Sequence, residues 1–364
     1  MMKKTVISLM TATGLWLTAG AAQAQENGPS FDCSAGKSLG EQILCSDPGL
    51  AARDRLMAET YKVKSKGADG DAVKTAQRAW LKQRDSACGI AGKKAQESLD
   101  PQTVWSIAPC LVKQYDARLA ELGAAAPAAV PLPAGVWHPA CVGAATEAAE
   151  RGIDLTLCQA GTAHVPATAH TDPPDGFETE GLYEGFPDYN YYQKVGALSD
   201  GRQLVLTTYN GGGTGFFSLV SAATVKKGKD GHDRLTLQPV GDGGDRCNGG
   251  ISDVALKGQS VIITRSLTPA ALADLLKVPE PLVTQLPDCA VCCAADVTTH
   301  QTVDGDPQVD SVAIQDIEEQ ALGDGKLEAC VGKALETAAG KTLKGPEMAA
   351  LGKSIAACEK FVVK

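Results

Sequence analysis

The apolar positions between residues 31 and 122 recur with the spacing of amphipathic helices. In the first such segment they lie at i, i+7 and i+11, which is one face of a helix: Leu50, Met57 and Tyr61. An aspartate followed by a proline, Asp47-Pro48, precedes this segment and is a typical helix start. The pattern predicts a helix with Tyr61 in the core of the folded segment.

Two further helices are predicted in the same region. One runs from about Asp71 to Ala87 and places Trp80 on its apolar face, where an indole ring usually anchors a core. A looser stretch, 89–106, separates it from a third helix that carries Tyr115. We therefore expect a small antiparallel bundle of three helices, with Trp80, Tyr61 and Tyr115 as structural core residues.

The pattern changes in the second half of the chain. Runs rich in β-branched and apolar residues, separated by Gly, Asp and Asn turn signals, predict strands at 204–209, 216–225, 234–240 and 261–264. A short helix is expected near 268–276, where Thr268-Pro269 supplies a start signal. Helical spacing returns near the C-terminus. The predicted fold is therefore α+β, an N-terminal antiparallel helical bundle followed by an antiparallel β-rich domain with helical ends.

Composition shifts suggest where these units begin and end. Residues 1–24 carry two lysines, an apolar run and an Ala-Gln-Ala cleavage sequence, which predicts a signal peptide. Residues 123–136 are rich in Ala and Pro, as in a semi-rigid linker. The predicted units are the signal peptide, a helical domain at 31–122, the linker, a disulfide-bonded β-rich domain at 137–311, and a C-terminal helical hairpin at 312–364. No second apolar run is long enough to span a membrane, so we expect a periplasmic or secreted protein without membrane insertion.

The chain has 12 cysteines, and all of them follow the predicted signal peptide. In an oxidising compartment this even number predicts up to six disulfides. We expect all twelve to be structural: Cys33, Cys45, Cys88, Cys110, Cys141, Cys158, Cys247, Cys289, Cys292, Cys293, Cys330 and Cys358. The first four should form two bridges within the helical domain, with the pairing left open, and the last two should close the C-terminal hairpin.

Charge is distributed unevenly along the chain, whose formal net charge is −9. Residues 31–122 hold 14 Lys/Arg against 12 Asp/Glu, whereas residues 123–364 hold 18 against 30. An acidic protein of this kind is not expected to bind nucleic acid, because that affinity comes from neutralising phosphates. A basic protein partner is compatible with it, since complementary fields steer association. Solubility alone would also explain the acidity.

The helical segment resembles a known family. The resemblance rests on four cysteines and on the run Gln77-Arg78-Ala79-Trp80, followed by Arg84-Asp85 and Cys88. These features are similar to those of the LprI-like lysozyme-inhibitor N-terminal domain, over about a quarter of the chain. The resemblance implies an exported bacterial envelope protein and a lysozyme as a candidate partner. It implies no particular inhibitory residues. The residues themselves favour structural roles, with Arg78, Arg84 and Asp85 solvated or locally paired.

Candidate chemistry is sparse in the rest of the chain. There is no Gly-x-Ser-x-Gly, His-Glu-x-x-His or dinucleotide-binding sequence, and we predict a binding protein rather than an enzyme, with no cofactor and no metal. The main alternative is a periplasmic enzyme or a metal or redox protein that uses Cys289, Cys292 and Cys293. That use would require thiols in a thioredoxin-like context or a second ligand pair, and neither is evident. A structural envelope protein is a third alternative.

Overall fold

The computed structural model describes residues 28–128, 131–170, 176–183, 186–316 and 322–362. The predicted signal peptide lies outside these ranges. Within them, the helical part comes first and two antiparallel sheets follow, which confirms the predicted α+β, disulfide-rich class.

Four helices build the N-terminal segment, one more than the pattern of apolar residues predicts. They are α1 (Leu39–Ser46), α2 (Pro48–Lys64), α3 (Gly70–Ala87) and α4 (Pro101–Glu121). The additional helix, α1, begins at a capping box in which the Ser38 hydroxyl accepts from the Glu41 amide and the Glu41 carboxylate accepts from the Ser38 amide. The helix is only eight residues long, so it shows too few turns for its periodicity to stand out.

Two helices of this segment start in the same way. The Asp47 carboxylate accepts from the Leu50 amide at the start of α2, and the Asp100 carboxylate accepts from the Thr103 amide at the start of α4. In both, proline occupies the next position, where its missing N–H costs no hydrogen bond. The expectation of a loose stretch as far as residue 106 is therefore wrong, because α4 already begins at Pro101, directly after its Asp100 cap.

Aromatic side chains form the centre of the helical core. Tyr115 is fully buried, Trp80 is 8 % exposed, and their rings meet edge to face with centroids 5.3 Å apart. Aliphatic side chains from α1, α2 and α4 surround them: Leu39, Ile43, Leu44, Leu50, Met57, Leu111 and Leu119. Tyr61 is only half-buried and does not belong to this cluster. Tyr61 lies near the C-terminal end of α2, beyond Met57, the last fully buried residue of that helix.

The first sheet has seven antiparallel strands in the order β1-β7-β6-β5-β4-β3-β2. Their bounds are β1 Ile153–Asp154, β2 Thr168–Ala169, β3 Gly176–Tyr183, β4 Phe186–Ala197, β5 Gln203–Asn210, β6 Phe217–Lys227 and β7 Asp233–Asp245. Two helices, α5 (Pro139–Ala148) and α6 (Leu155–Thr162), cover one face of this sheet. Val205, Tyr192 and Leu235 point from the strands into that helical layer.

The second sheet has five antiparallel strands in the order β12-β11-β10-β9-β8. Their bounds are β8 Ile251–Lys257, β9 Ser260–Leu267, β10 Ala295–Gln301, β11 Gln308–Ile314 and β12 Thr342–Leu343. The accompanying helices are α7 (Pro269–Leu275), α8 (Glu280–Val283), α9 (Lys326–Glu336) and α10 (Pro346–Ala356). The expected boundary between 311 and 312 falls inside β11, and α9 and α10 pack into the same core as this sheet.

One face of the second sheet is buried by two different neighbours. Cross-strand pairing of Ile263 with Thr299 and of Leu267 with Ala295 puts these residues on the same face. At one end of that face, Val261 and Ile263 pack against Leu204 and Val220 of the first sheet. At the other end, the strands pack against the C-terminal helices.

The four strands predicted from the sequence correspond to β5, β6, β7 and β9.

Candidate protein-binding cleft

Two residues of the family resemblance, Trp80 and Arg84, belong to a network of contacts inside the helical bundle. The Tyr115 hydroxyl donates to the Asp54 carboxylate over 2.7 Å and accepts from the Arg84 guanidinium over 2.9 Å. That guanidinium also lies 5.4 Å from the Trp80 ring centroid, within cation–π range. Burial, reinforced by the Asp54 charge, raises the pKa of Tyr115 far above its usual value, so its hydroxyl stays protonated.

Side chains of this network also fix its surroundings. Ser30 donates to Asp54 through both its amide and its hydroxyl, at 2.9 and 2.6 Å, which ties the incoming chain to α2. The Arg118 guanidinium donates to Gln77 over 2.9 Å and joins α4 to α3. Arg78, by contrast, is exposed. The network therefore links α2, α3 and α4. It gives Gln77 and Arg84 of the family resemblance structural roles.

All twelve cysteines lie in the described ranges, and the structure pairs them in six disulfides. The pairs are Cys33–Cys45, Cys88–Cys110, Cys141–Cys158, Cys247–Cys293, Cys289–Cys292 and Cys330–Cys358. The three cysteines of the redox or metal alternative are therefore disulfide-bonded in this structure. No disulfide joins residues 31–122 to the rest of the chain.

The helical segment packs closely on the layer that follows it. A Cβ atom on Gly161 of α6 would lie 2.5 Å from the Cα and Cβ atoms of Trp105 on α4, so the two helices touch through backbone. Trp105 itself is buried in the cluster beneath the first sheet rather than in the helical core. Near the same junction, the buried His164 ring contacts the Asp47 carboxylate. The Ala/Pro-rich segment therefore connects two parts that share a buried interface.

A cleft of about 810 Å³ opens beside this junction. Its walls come from the disulfide-bonded N-terminal turn and α1, the 95–99 loop, the start of α4, the exposed side of α5 and the ends of β3, β4 and β5. Gly143 of α5 lies so close to β4 that a Cβ atom there would be 2.2 Å from the Asn190 side-chain oxygen. Both residues line the cleft, whose volume is typical of a small-ligand or side-chain pocket.

The described residues that line the cleft include five carboxylates and no Lys, Arg or His. The carboxylates are Asp47, Glu97, Glu147, Glu180 and Asp188. Apolar surface is supplied by aromatic and aliphatic side chains, including Trp105 and Tyr209. Such a cavity, partly apolar with a single sign of charge, attracts cations.

The Asp188 carboxyl group is partly buried in the wall of the cleft. Burial raises its pKa to about 6, the amide of Gly181 on the paired strand opposes that rise, and the charge of Glu147 adds to it. Its Oδ1 atom is buried and has no hydrogen-bond partner among the described residues. The oxygen packs against Gly181 of the paired strand, since a Cβ atom on that glycine would lie 1.9 Å from it.

Sequence reasoning did not single out these carboxylates. It found the acidity of residues 123–364 as a whole, but the cleft combines side chains from positions as distant as Asp47 and Tyr209. The start of β4, where Asp188 lies, shows no simple alternation of apolar and polar residues. No local signal therefore marks Asp188 or Glu147 as members of a site.

A second group of polar residues lies at the edge of the first sheet. Asp154, Asp230 and His232 have side-chain ligand atoms within 4.8 Å of one another. Arg234 already contacts both carboxylates of the group, at 2.5 Å from Asp154 and 2.6 Å from Asp230. A guanidinium in this position supplies the positive charge that a metal ion would otherwise bring.

Comparison with known proteins finds a family that the helical segment matches. The family model described as lysozyme inhibitor LprI matches residues 33–122. Residues 33–122 form an LprI domain. The match covers the four helices, the Tyr115 network and the first two disulfides. It includes one side of the cleft and leaves the other side, formed by α5 and the first sheet, outside the matched range.

Curated relatives match the same part of the chain. Lipoprotein LprI from Mycobacterium tuberculosis and from Mycobacterium bovis is 31 % identical over 122 residues, which are 32 % of this chain and 55 % of the relative. The chain thus spans about half the length of the curated relatives it matches. No solved structure matches the chain significantly. Within the described residues, no helix is both long enough and apolar enough to cross a membrane.

Proposed function

We propose that this protein is an exported bacterial envelope protein that inhibits a lysozyme or a similar cell-wall hydrolase by binding it directly. The observation that carries the proposal is the LprI domain at residues 33–122, whose family description is a lysozyme inhibitor. Export is supported by the signal-like N-terminal sequence, by the six disulfides and by relatives that are named lipoproteins.

The mechanism we propose is occlusion by a bound protein rather than catalysis. Animal lysozymes are strongly basic, and the part of this chain after residue 122 carries 18 Lys/Arg against 30 Asp/Glu. Opposite net charges accelerate encounter, and the effect weakens as salt screens it. The metal alternative gains no support from the structure, because Cys289, Cys292 and Cys293 are all in disulfides and offer no thiolate ligand.

A lysis assay tests this function with the full-length oxidised protein. Bacterial cells are exposed to a basic animal lysozyme with and without the protein, at low and at high salt. We expect the protein to slow lysis, and we expect inhibition to weaken as the salt concentration rises. The same protein added to cells without lysozyme is the control for direct effects on the cells. Lysis at an unchanged rate with micromolar protein would contradict the proposal.

A further inference from the structure

We propose that the Cys289–Cys292 disulfide is a site of reversible thiol–disulfide exchange with a dithiol protein, and that the other five bridges are structural. This inference does not rest on lysozyme binding, and the pair lies outside the range that the LprI family model matches. It gives a chemical role to the Cys-x-x-Cys spacing, which the proposed function leaves unused.

The first argument is access to one end of the bridge. All twelve cysteines lie in the described ranges, and Cys289 is the one that is exposed, whereas Cys292 is only 1 % exposed. In the other five bridges every cysteine is buried or half-buried. An attacking thiolate has to reach a disulfide sulfur, so exchange depends on this access. The exposures therefore favour this bridge over the others and Cys289 as the residue that is attacked.

The second argument is the leaving group. Attack at Cys289 expels the Cys292 sulfur as a thiolate, and exchange is faster when that thiolate is stabilised. The Cys289 amide donates to the Cys292 sulfur over 2.9 Å. The Cys289 carbonyl lies 3.0 Å from the same sulfur, where it can accept from the thiol once that is protonated. The turn leads into β10 rather than into a helix, so this stabilisation comes from a hydrogen bond and not from a helix dipole.

The third argument is that other contacts hold the turn in place. On one side the neighbouring Cys293 is bridged to Cys247, whose amide also donates to the Ala290 carbonyl over 3.3 Å. On the other side the Thr268 hydroxyl donates to the Asp288 carboxylate over 2.8 Å. The bridge spans only three residues, so opening it frees little chain. The pair can therefore be reduced while the fold around it persists.

The exchange has two steps. A partner thiolate attacks the Cys289 sulfur, the bond to Cys292 breaks, and the Cys292 thiolate takes a proton from water. The second partner thiol, deprotonated to water, then attacks the partner sulfur of the mixed disulfide, and the Cys289 thiolate leaves and is protonated. Two electrons have then passed from the dithiol to the bridge, so that the partner is oxidised to a disulfide and the pair is reduced to two thiols.

The test uses the full-length oxidised protein with reduced thioredoxin as the probe dithiol. Excess N-ethylmaleimide stops the reaction at set times, and tandem mass spectrometry of the peptides locates the labelled cysteines. We expect Cys289 and Cys292 to be labelled about tenfold faster than the cysteines of the other bridges, with an unchanged circular dichroism spectrum. Cys247 and Cys293, which form the neighbouring bridge, are the matched control.

Two further measurements separate an exchange site from a bridge that is only exposed. A thioredoxin variant whose second cysteine is serine should be trapped as a mixed disulfide on Cys289 and not on Cys292. In a glutathione redox buffer that holds the other five bridges oxidised, the pair should interconvert between dithiol and disulfide without exchanging partners with Cys247 or Cys293.

Labelling of Cys247 and Cys293 at the same rate as the pair would overturn the inference. Loss of the native circular dichroism spectrum when the pair is reduced would also overturn it, because the bridge would then be structural. A probe trapped on Cys292, or a pair that re-forms with the wrong partner, would have the same consequence. The lysis assay uses neither thioredoxin nor alkylation, so the proposed function stands or fails independently of these results.

Discussion

The Nε2 atom of His164 lies 2.9 Å from both carboxylate oxygens of Asp47, and both side chains are buried. Asp47 belongs to the LprI domain and His164 to the layer that follows it, 117 residues further along the chain. The same carboxylate caps α2 by accepting from the Leu50 amide. One side chain therefore starts a helix and joins two parts of the molecule, because a carboxylate has lone pairs for both tasks.

Replacing Asp47 should show both roles. We expect Asp47→Ala to destabilise the protein by about 2–4 kcal/mol, since it removes a helix cap and leaves the buried His164 donor without its acceptor. Asp47→Asn is the matched control, because an amide oxygen can still cap α2 and accept from the ring; we expect a loss of about 1 kcal/mol or less. Urea unfolding of the full chain measures both, and equal midpoints for the two variants would contradict this account.

Trp80 should be a stability residue rather than a contact residue. Its ring is buried against Tyr115 and its indole N–H donates to the Gln114 carbonyl. We expect Trp80→Ala to cost about 3–5 kcal/mol of unfolding free energy, as in other truncations of buried aromatic residues. Leu81→Ala, at a 40 % exposed position on the same helix, should cost less than about 1 kcal/mol. Similar midpoints for both variants in a denaturant titration would place the Trp80 ring on the surface.

Asp188 should make stability depend on pH. Its folded pKa of about 6 lies above the unfolded value near 4, so the folded state holds the proton more tightly. The charged form is disfavoured by burial and by Glu147, and this cost grows as pH rises from about 4 to about 6. We expect Asp188→Asn to be more stable than wild type at pH 7.5, by an amount on the order of 1–2 kcal/mol after allowance for partial exposure, and no more stable at pH 4.

The measurement for this third prediction is urea unfolding of wild type and Asp188→Asn at both pH values. Glu336→Gln, at an exposed position, is the control for a general change in charge. A difference between wild type and Asp188→Asn that is the same at pH 4 and pH 7.5 would show that the Asp188 carboxyl group titrates normally.

The two disulfides that meet at Cys292 and Cys293 should differ in their effect on stability. Cys247–Cys293 closes a long loop with a sequence separation of 46, whereas Cys289–Cys292 spans three residues. By the loop-entropy argument, replacing the first pair with serines should cost about 2 kcal/mol more than replacing the second. Thermal unfolding of the two double-serine variants checks this, after peptide mapping has shown that the remaining bridges keep their partners. A larger loss for the short loop would contradict it.

Close backbone contact between α4 and α6 should tolerate no added methyl group. A Cβ atom on Gly161 would meet backbone and Cβ atoms of Trp105 at 2.5 Å, so Gly161→Ala should separate the helices and cost about 1–3 kcal/mol. Gly213→Ala is the control, because a Cβ atom at that loop position has no neighbour within 4 Å. A melting temperature for Gly161→Ala equal to that of the control would show that the interface yields without cost.

Local signals in the sequence determined much of the secondary structure. Asp47-Pro48 marks the start of α2 in both the sequence and the structure, and Thr268-Pro269 does the same for α7, because capping and proline geometry act within four residues. Turn residues likewise separated β5, β6 and β7 correctly. The Ser38–Glu41 capping box and Asp100-Pro101 carried equally local information, so α1 and the early start of α4 were predictable from signals that the apolar periodicity obscured.

The sequence by itself determined the α+β class and the LprI resemblance, because each depends on residues that are close in the chain or on a fixed spacing. Only the tertiary structure decided the disulfide partners that the sequence left open, the contact between Asp47 and His164, and the cleft that combines Asp188 with Glu147. Those features depend on which faces of the helices and sheets pack together, and that choice minimises exposed apolar surface over the whole chain. An acidic total charge can be counted from the sequence, whereas the position of five carboxylates around one cavity follows from packing.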